Sequence, residues 1–203
     1  QEEEPDFVLL FEYTPVWHYH LQQVWKEYPY RKVLPRYGFS GSIIASKYPF
    51  KEAHSIWYGP VDVASLTARV ETPDGDLQLV GIHPPSPPNV RDIGFRNQSM
   101  DSLANYIQHI RSEEIPIVLT GDFNNTPFHP QFKKFLRKTQ LKDSRMGFGN
   151  QASFPFHLGW MGIPLDHVLL SKELEVHSRE LAPWLGSDHK GVICDFSINK
   201  GEK

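Results

Sequence analysis

The stretch that decides the reading of this chain is "IVLTGDFNNTPFHP", residues 117–130. Its front half, Ile117 to Thr120, suits a pleated, packed surface and predicts a buried strand. Its back half is turn chemistry, with Gly121, Asn124, Asn125 and Pro127 in quick succession. A strand therefore ends here and delivers Asp122 and Asn124 to one rim. Alternate residues leaving an extended segment point the same way, so both side chains can reach one site. The competing reading is that Asp and Asn simply close a turn. This segment alone does not separate the two.

Working outward, other strands end in the same manner. "PDFVLLFEYTP" runs from an apolar strand over 6–12 into Glu12. "ASLTARVETPDGDLQLVGIH" is a hairpin, with strands 64–71 and 77–83 around Pro73-Asp74-Gly75, and it ends at His83. Asp166 and His167 open the strand 165–171, "LDHVLLS". Asp188 and His189 in "GSDHKG" precede the strand 191–198. Singly, each has an ordinary explanation: a surface charge, a satisfied histidine, an idle loop pair. Jointly they place ionisable groups at the ends of otherwise apolar strands. Such groups are costly to bury unless they are paired or bind metal.

The remaining pattern is mixed. A helix is expected near 15–27, on the spacing of Trp17, Leu21, Val24 and Trp25, and short strands near 31–35 and 40–46. Helices are expected at 94–113, with Met100, Leu103, Ile107 and Ile110 on one face, and at 129–138. Residues 144–164 read as an irregular loop over a site. Hairpins interleaved with helices indicate sheets covered by helices, in layers.

Composition sets the frame. The chain has 203 residues, 39% hydrophobic and 22% charged, which fits one domain over 1–203 with a substantial core. A net charge of −3 offers no global basic field for nucleic acid. One cysteine excludes an intrachain disulfide. There is no run of 18 apolar residues, so no membrane span is expected. Compartment is not readable.

Six stretches resemble, in order, the endonuclease/exonuclease/phosphatase superfamily, the DNase I-like metal-dependent phosphoesterases: "PDFVLLFEYTP", "SGSIIASKYPF", "LVGIHPPSPP", "VLTGDFNNTP", "PLDHVLLS" and "GSDHKGV". They cover nearly the whole chain. "HPPSPP" and "FRNQSMDSLANYI" look like a compact subgroup, including the teicoplanin-resistance phosphatase-like proteins, whose members often follow membrane helices. The resemblance implies an α/β fold, a four-layered α/β-sandwich of two packed, mainly antiparallel sheets with outer helices. It implies that Glu12, Asp122, Asn124 and Asp188 serve a metal site. It further implies that Asp122 and Asn124 position the nucleophile, that His189 contacts the scissile phosphate or acts as base, that Asp166 orients it, and that His83 is a second phosphate-side histidine. Family domains begin with a further strand, ending in an asparagine of the site, and a helix. No residue here takes that asparagine's place, and the chain opens in mid-core. The expectation is an N-terminally incomplete piece of a longer protein, with an upstream membrane anchor as one open arrangement.

Independently of the family, carboxylate and carboxamide oxygens suit a hard cation, Mg2+ or Mn2+. The lack of clustered cysteines argues against structural zinc. Arg91 and Arg96 are candidates to clamp a phosphate bidentately. The expected partner is a phosphate-ester substrate, small or lipid-linked in preference to nucleic acid, met by a monomer. Three classes stay open: a phosphomonoesterase, phosphodiesterase or pyrophosphatase; a DNA or RNA nuclease; and a non-catalytic module that binds phosphate ligands.

Overall fold

The structure is a computed structural model, and it describes residues 3–36, 38, 40–58, 64–84, 90–183 and 186–199, with the side chains of residues 64 and 90–92 left undescribed. Its largest element is a six-stranded sheet. The strands are β4 (Phe50–Trp57), β5 (Ala64–Thr72), β6 (Gly75–Ile82), β7 (Ile117–Asp122), β8 (Lys142–Asp143) and β9 (Asp166–Leu170), in the order β4-β5-β6-β7-β9-β8. Only the β6–β7 pairing is parallel; the other pairings are antiparallel.

Alternation along these strands splits the core in two. Val80, Ile82, Ile117, Leu119 and Leu169 face one side. There they meet Met100, Leu103 and Ile107 of helix α2 (Val90–Ile110) and Phe132 and Phe135 of helix α3 (Pro130–Thr139). Leu66, Ala68, Val70, Leu79, Val118, Val168 and Leu170 face the other. The period of two that places Val118 and Leu119 on opposite faces makes both layers obligatory.

The second face is covered by two small sheets. One is β1 (Phe7–Phe11), β3 (Ser42–Ser46) and β2 (Tyr30–Leu34), in the order β1-β3-β2. The other pairs β10 (Leu174–Leu181) with β11 (Val192–Ile198). Phe7 and Leu9 from the first, and Val192, Cys194 and Phe196 from the second, pack on the same apolar layer. Behind the three-stranded sheet, Ile43 and Ala45 meet Tyr13, Trp25 and Tyr28. Helix α1 (Pro15–His20) and the short 3-10 turn Val24–Lys26 lie in that outermost layer. The four expected layers are therefore present. The expected second sheet is divided into three-stranded and two-stranded parts among the described residues.

Local expectations are corrected in three places. The single helix near 15–27 is a six-residue helix and a separate 3-10 turn. The apolar spacing came from Trp25, which is buried, and from Trp17 and Val24, which are exposed. Strands β4 and β10 carry a polar residue at nearly every second place, so neither presented an apolar run. The hairpin turn is tighter than expected, because Thr72 pairs directly with Gly75.

One close approach fixes the register at the rim. Gly121 pairs with Ile82 across the parallel ladder and has φ +151. A Cβ there would sit 1.8 Å from the Ile82 carbonyl oxygen. Only glycine permits this conformation at this distance. Gly121→Ala should therefore destabilise the fold by about 3 kcal/mol or more, the magnitude of a strained backbone plus a forced strand separation. Denaturant unfolding checks this; a midpoint close to that of the wild type would refute it.

Candidate active site

The rim is built where strands stop. The C-terminal ends of β1, β6 and β7 and the start of β9 lie together, and Asp122 is directly opposite Asp166 in the β7–β9 ladder. The loop before β11 supplies the last residues.

Glu12 leaves β1 in a left-handed conformation, φ 55, which costs a non-glycine residue roughly 1 kcal/mol. The next residue anchors the turn. Tyr13 donates its N–H to the Gly41 carbonyl at 3.0 Å and accepts from the Arg36 N–H at 3.3 Å. The Glu12 carboxylate lies 3.8 Å from His83 Nε2, and His83 Nε2 is also 3.8 Å from Asp122 Oδ2.

Asp122 serves two purposes with its two oxygens. Oδ1 accepts the Asn124 N–H at 2.7 Å, closing an Asx turn in which Asn124 is left-handed, φ 47. Oδ2 faces His83 and lies 3.9 Å from His189 Nε2. Burial, and then the charge of Asp166, push the Asp122 carboxyl up to about 7. Asn124 donates its side-chain N–H to the Pro84 carbonyl at 2.9 Å.

His189 Nδ1 meets Asp166 Oδ2 at 2.7 Å, so the contact expected of this pair is present. Burial works against the imidazolium. The hydrogen bond and charge of Asp166, with Asp122 and Asp188, outweigh burial and raise His189 to about 9. Phe154 lies against the ring at a centroid distance of 4.6 Å. Asp188 is exposed, and its backbone carbonyl accepts the Phe156 N–H at 2.9 Å. Burial, and then the Asp188 charge, raise the Glu12 carboxyl above its ordinary value.

The sequence-predicted residues Glu12, His83, Asp122, Asn124, Asp166, Asp188 and His189 thus converge on one rim. Arg96 does not share that arrangement. Arg96 is buried and donates to the Asn124 carbonyl at 2.8 Å, which braces the turn from behind. The side chain of Arg91, and residues 85–89 of the loop after His83, lie outside the described residues. Among the described residues, no group of three or more His, Cys, Asp or Glu is arranged as a ready metal cage. The donor chemistry nevertheless fits a hard, hydrated cation. Glu12 and Asp188 offer carboxylate oxygens, and their mutual repulsion is relieved by positive charge between them.

Several residues support the rim, and two of them, Arg179 and Ser153, escaped the sequence reading. Buried Arg179 donates to the Asp166 carbonyl at 3.2 Å and to Ser144 Oγ at 3.0 Å. Ser153 Oγ accepts the N–H groups of Leu165 and Asp166 at 3.1 and 3.2 Å. His167 Nε2 donates to the Asn125 carbonyl at 2.9 Å, and burial holds that imidazole below its usual pKa. On a half-polar strand such as "LEVHSREL", an inward arginine has no signal that separates it from an outward one.

If Asp166 sustains the His189 imidazolium, Asp166→Asn should bring the His189 pKa from about 9 down toward the ordinary value of about 6.5. NMR titration of the imidazole in metal-free protein reads this directly. An unmoved pKa would remove Asp166 from that role.

Comparisons with known proteins agree with this architecture. The Endonuclease/Exonuclease/phosphatase family description matches residues 1–189. Zebrafish (D. rerio) TDP2, crystallised with a single-strand DNA product, superposes with a TM-score of 0.76 at 19% identity, over 96% of this chain and 86% of that one. The human Nocturnin catalytic domain with bound sulfate gives 0.71 at 18% identity, over 96% and 81%. A mannosyl-6-phosphatase from Bacteroides thetaiotaomicron gives 0.74 at 16% identity, over 95% and 85%. No curated protein sequence matches significantly. These likenesses carry the DNase I-like fold. With the match over residues 1–189, the chain belongs to the endonuclease/exonuclease/phosphatase family, whose members are hydrolases acting on phosphoesters.

Proposed function

We propose that this chain carries the site of a divalent-metal-dependent phosphoester hydrolase that acts on a small or lipid-linked phosphate ester. The observation that carries the reading is the division of charge between Asp122 and His189, 3.9 Å apart. One is a carboxylate with a pKa of about 7 and the other an imidazolium with a pKa of about 9. A hydrolase needs a base to take a proton from water and a cation for the charge that builds on phosphorus-bound oxygen.

Asp122 suits the first task. Its Oδ1 is fixed by the turn, leaving Oδ2 to accept a hydrogen bond from water and then the proton. A carboxylate raised by burial is a stronger base than an exposed one, and at neutral pH part of it remains ionised. His189 suits the second task. Held protonated by Asp166, it faces a phosphoryl oxygen as a cation and can hand a proton to a leaving oxygen. That assigns it phosphate contact and proton donation in preference to the role of base. His83 lies between Glu12 and Asp122 and can donate to another phosphate oxygen. Asn124 fixes the loop through Pro84 and keeps its second amide hydrogen for the substrate. Family enzymes are generally dependent on a divalent metal. Glu12, with Asp188 beside it, would hold Mg2+ or Mn2+, which when bound supplies charge stabilisation to the phosphoryl oxygens.

The competing nuclease reading draws on zebrafish TDP2, whose structure holds a DNA product. Mannosyl-6-phosphatase, by its name, acts on a sugar phosphate. The acidic rim and the net charge of −3 favour the small substrate, because a long polyanion needs many cationic contacts. A non-catalytic module is the third reading. It would bind ligand without turnover.

Asp122→Asn tests the assignment, because it keeps the Oδ1 acceptor and the turn while removing the base. Metal-dependent hydrolysis of a phosphomonoester should fall by at least about 100-fold. Stability should move in the opposite direction. A carboxyl raised in the folded state loses stabilisation as pH rises through its folded pKa near 7, so the amide gains above that pH. At pH 8 without metal, the variant should unfold at equal or higher denaturant. Full activity with lower stability would show that Asp122 is only a turn residue.

Glu12→Gln tests the cation. Calorimetry with Mg2+ should show binding at least about 10-fold weaker than in the wild type, and a chelator should stop turnover of the wild type. Equal affinity in both proteins would move the metal elsewhere.

A further inference from the structure

From Met146 to Leu165 the chain has 20 residues without one Lys, Arg, Asp or Glu, in a protein with 22% charged residues. The middle of this run, Phe156–Met161, is a 3-10 segment with no buried residue. Leu158, Trp160, Met161 and Ile163 are 39%, 85%, 62% and 43% exposed. Large apolar side chains clustered at such exposure mark a contact surface, unlike scattered ones.

The segment is firmly held. Phe154 and Ile163 exchange backbone hydrogen bonds, Phe154 N–H to Ile163 O at 3.0 Å and Ile163 N–H to Phe154 O at 2.6 Å. A Cβ on Gly162 would lie 2.6 Å from the Phe154 oxygen, so the neck of the loop is closed. The neck is also tied to the site. Ser153 O accepts the Lys190 N–H at 2.9 Å, and Phe156 N–H donates to Asp188 O at 2.9 Å.

We propose that the tip Leu158–Ile163 is an interfacial anchor that docks this rim on an uncharged lipid surface. Three observations select that partner. The run has no Lys or Arg to neutralise a phosphate backbone, and three of the four exposed side chains of the tip, Leu158, Met161 and Ile163, are not aromatic, so it is poorly suited to stacking on bases. Four side chains on a narrow tip fall far short of the roughly 20–30 residues per partner in a stable protein interface. Shallow insertion of a few apolar side chains, with a tryptophan at the headgroup level, needs no more than this tip provides. The carboxylates of Glu12, Asp122, Asp166 and Asp188 stand on the same rim, so anionic lipid is disfavoured and zwitterionic lipid favoured. Docking would hold the site at headgroup height. The proposal does not require the site to be catalytic.

Flotation of the full chain with phosphatidylcholine vesicles tests it. The protein should float with the vesicles, equally at about 0.1 and 0.5 M NaCl, because burial of apolar surface is not screened by salt. The double variant Trp160→Ser, Met161→Ser should partition about tenfold or more weakly, with an unchanged melting temperature. Trp17→Ser, at an exposed tryptophan in another layer, should float like the wild type. Brominated lipid should quench fluorescence of the wild type more than that of the double variant. No flotation, binding that vanishes at high salt, or equal loss in Trp17→Ser would each overturn the proposal. So would concentration-dependent self-association that the double variant abolishes, in place of vesicle binding.

Discussion

Two carboxylates stand directly opposite each other where β7 and β9 reach the rim. Asp122 and Asp166 occupy one rung of the ladder, and neither can move without unpairing its strand. Like charges held so close in a partly dry setting are unfavourable unless something intervenes. His189 intervenes. Its two nitrogens lie 2.7 Å from Asp166 and 3.9 Å from Asp122. Burial first and then Asp166 raise the Asp122 pKa, while Asp166, with Asp122 and Asp188, raises that of His189 against burial, so both shifts belong to one arrangement. The remaining contacts, from Arg179 and Ser153 to the backbone of Asp166 and from Arg96 to the backbone of Asn124, keep the two carboxylates from escaping it.

The layers follow from the same economy of space. Asp122 must be near the surface, yet Leu119 and Val118, a few residues earlier, are buried on opposite faces. A strand covered on both faces can expose only its end. The site therefore forms along the edge of the sandwich, where several covered strands end together. Gly121 makes the final step possible by letting the chain pass the Ile82 carbonyl before it turns outward.

This explains which features could be read in the sequence. A strand buried on both faces is a continuous apolar run, so β7 and β9 were legible, together with the polar residue at each end. Helix α2 was legible because Met100, Leu103 and Ile107 repeat with its turn. Strands β4 and β10 were not, since each has one wet face and few apolar residues. The division of the second layer into two sheets was invisible, because pairing partners are distant in sequence. Among the candidate residues, those at strand ends converge on the rim. The arginines could not be sorted. Arg96 looked like a phosphate clamp, yet it is buried against the Asn124 carbonyl, and Arg179 attracted no notice although it holds the Asp166 backbone. Direction on a polar strand or a helix shoulder is set by tertiary packing, and local spacing does not encode it.

In "GDFNN" the carboxylate of Asp122 joins the turn to the candidate site. One oxygen closes the turn on Asn124, and the other faces the histidines. A turn that needs its own aspartate holds that side chain in one rotamer, and on the proposed reading this removes the entropy a flexible acid would lose in positioning a water. It also places the second oxygen on the side where β9 and the 186–189 loop arrive. The turn thus also aims the candidate site. That is why the competing readings of the sequence could not be told apart locally: both demand the same residues, and only the second oxygen of Asp122 distinguishes them.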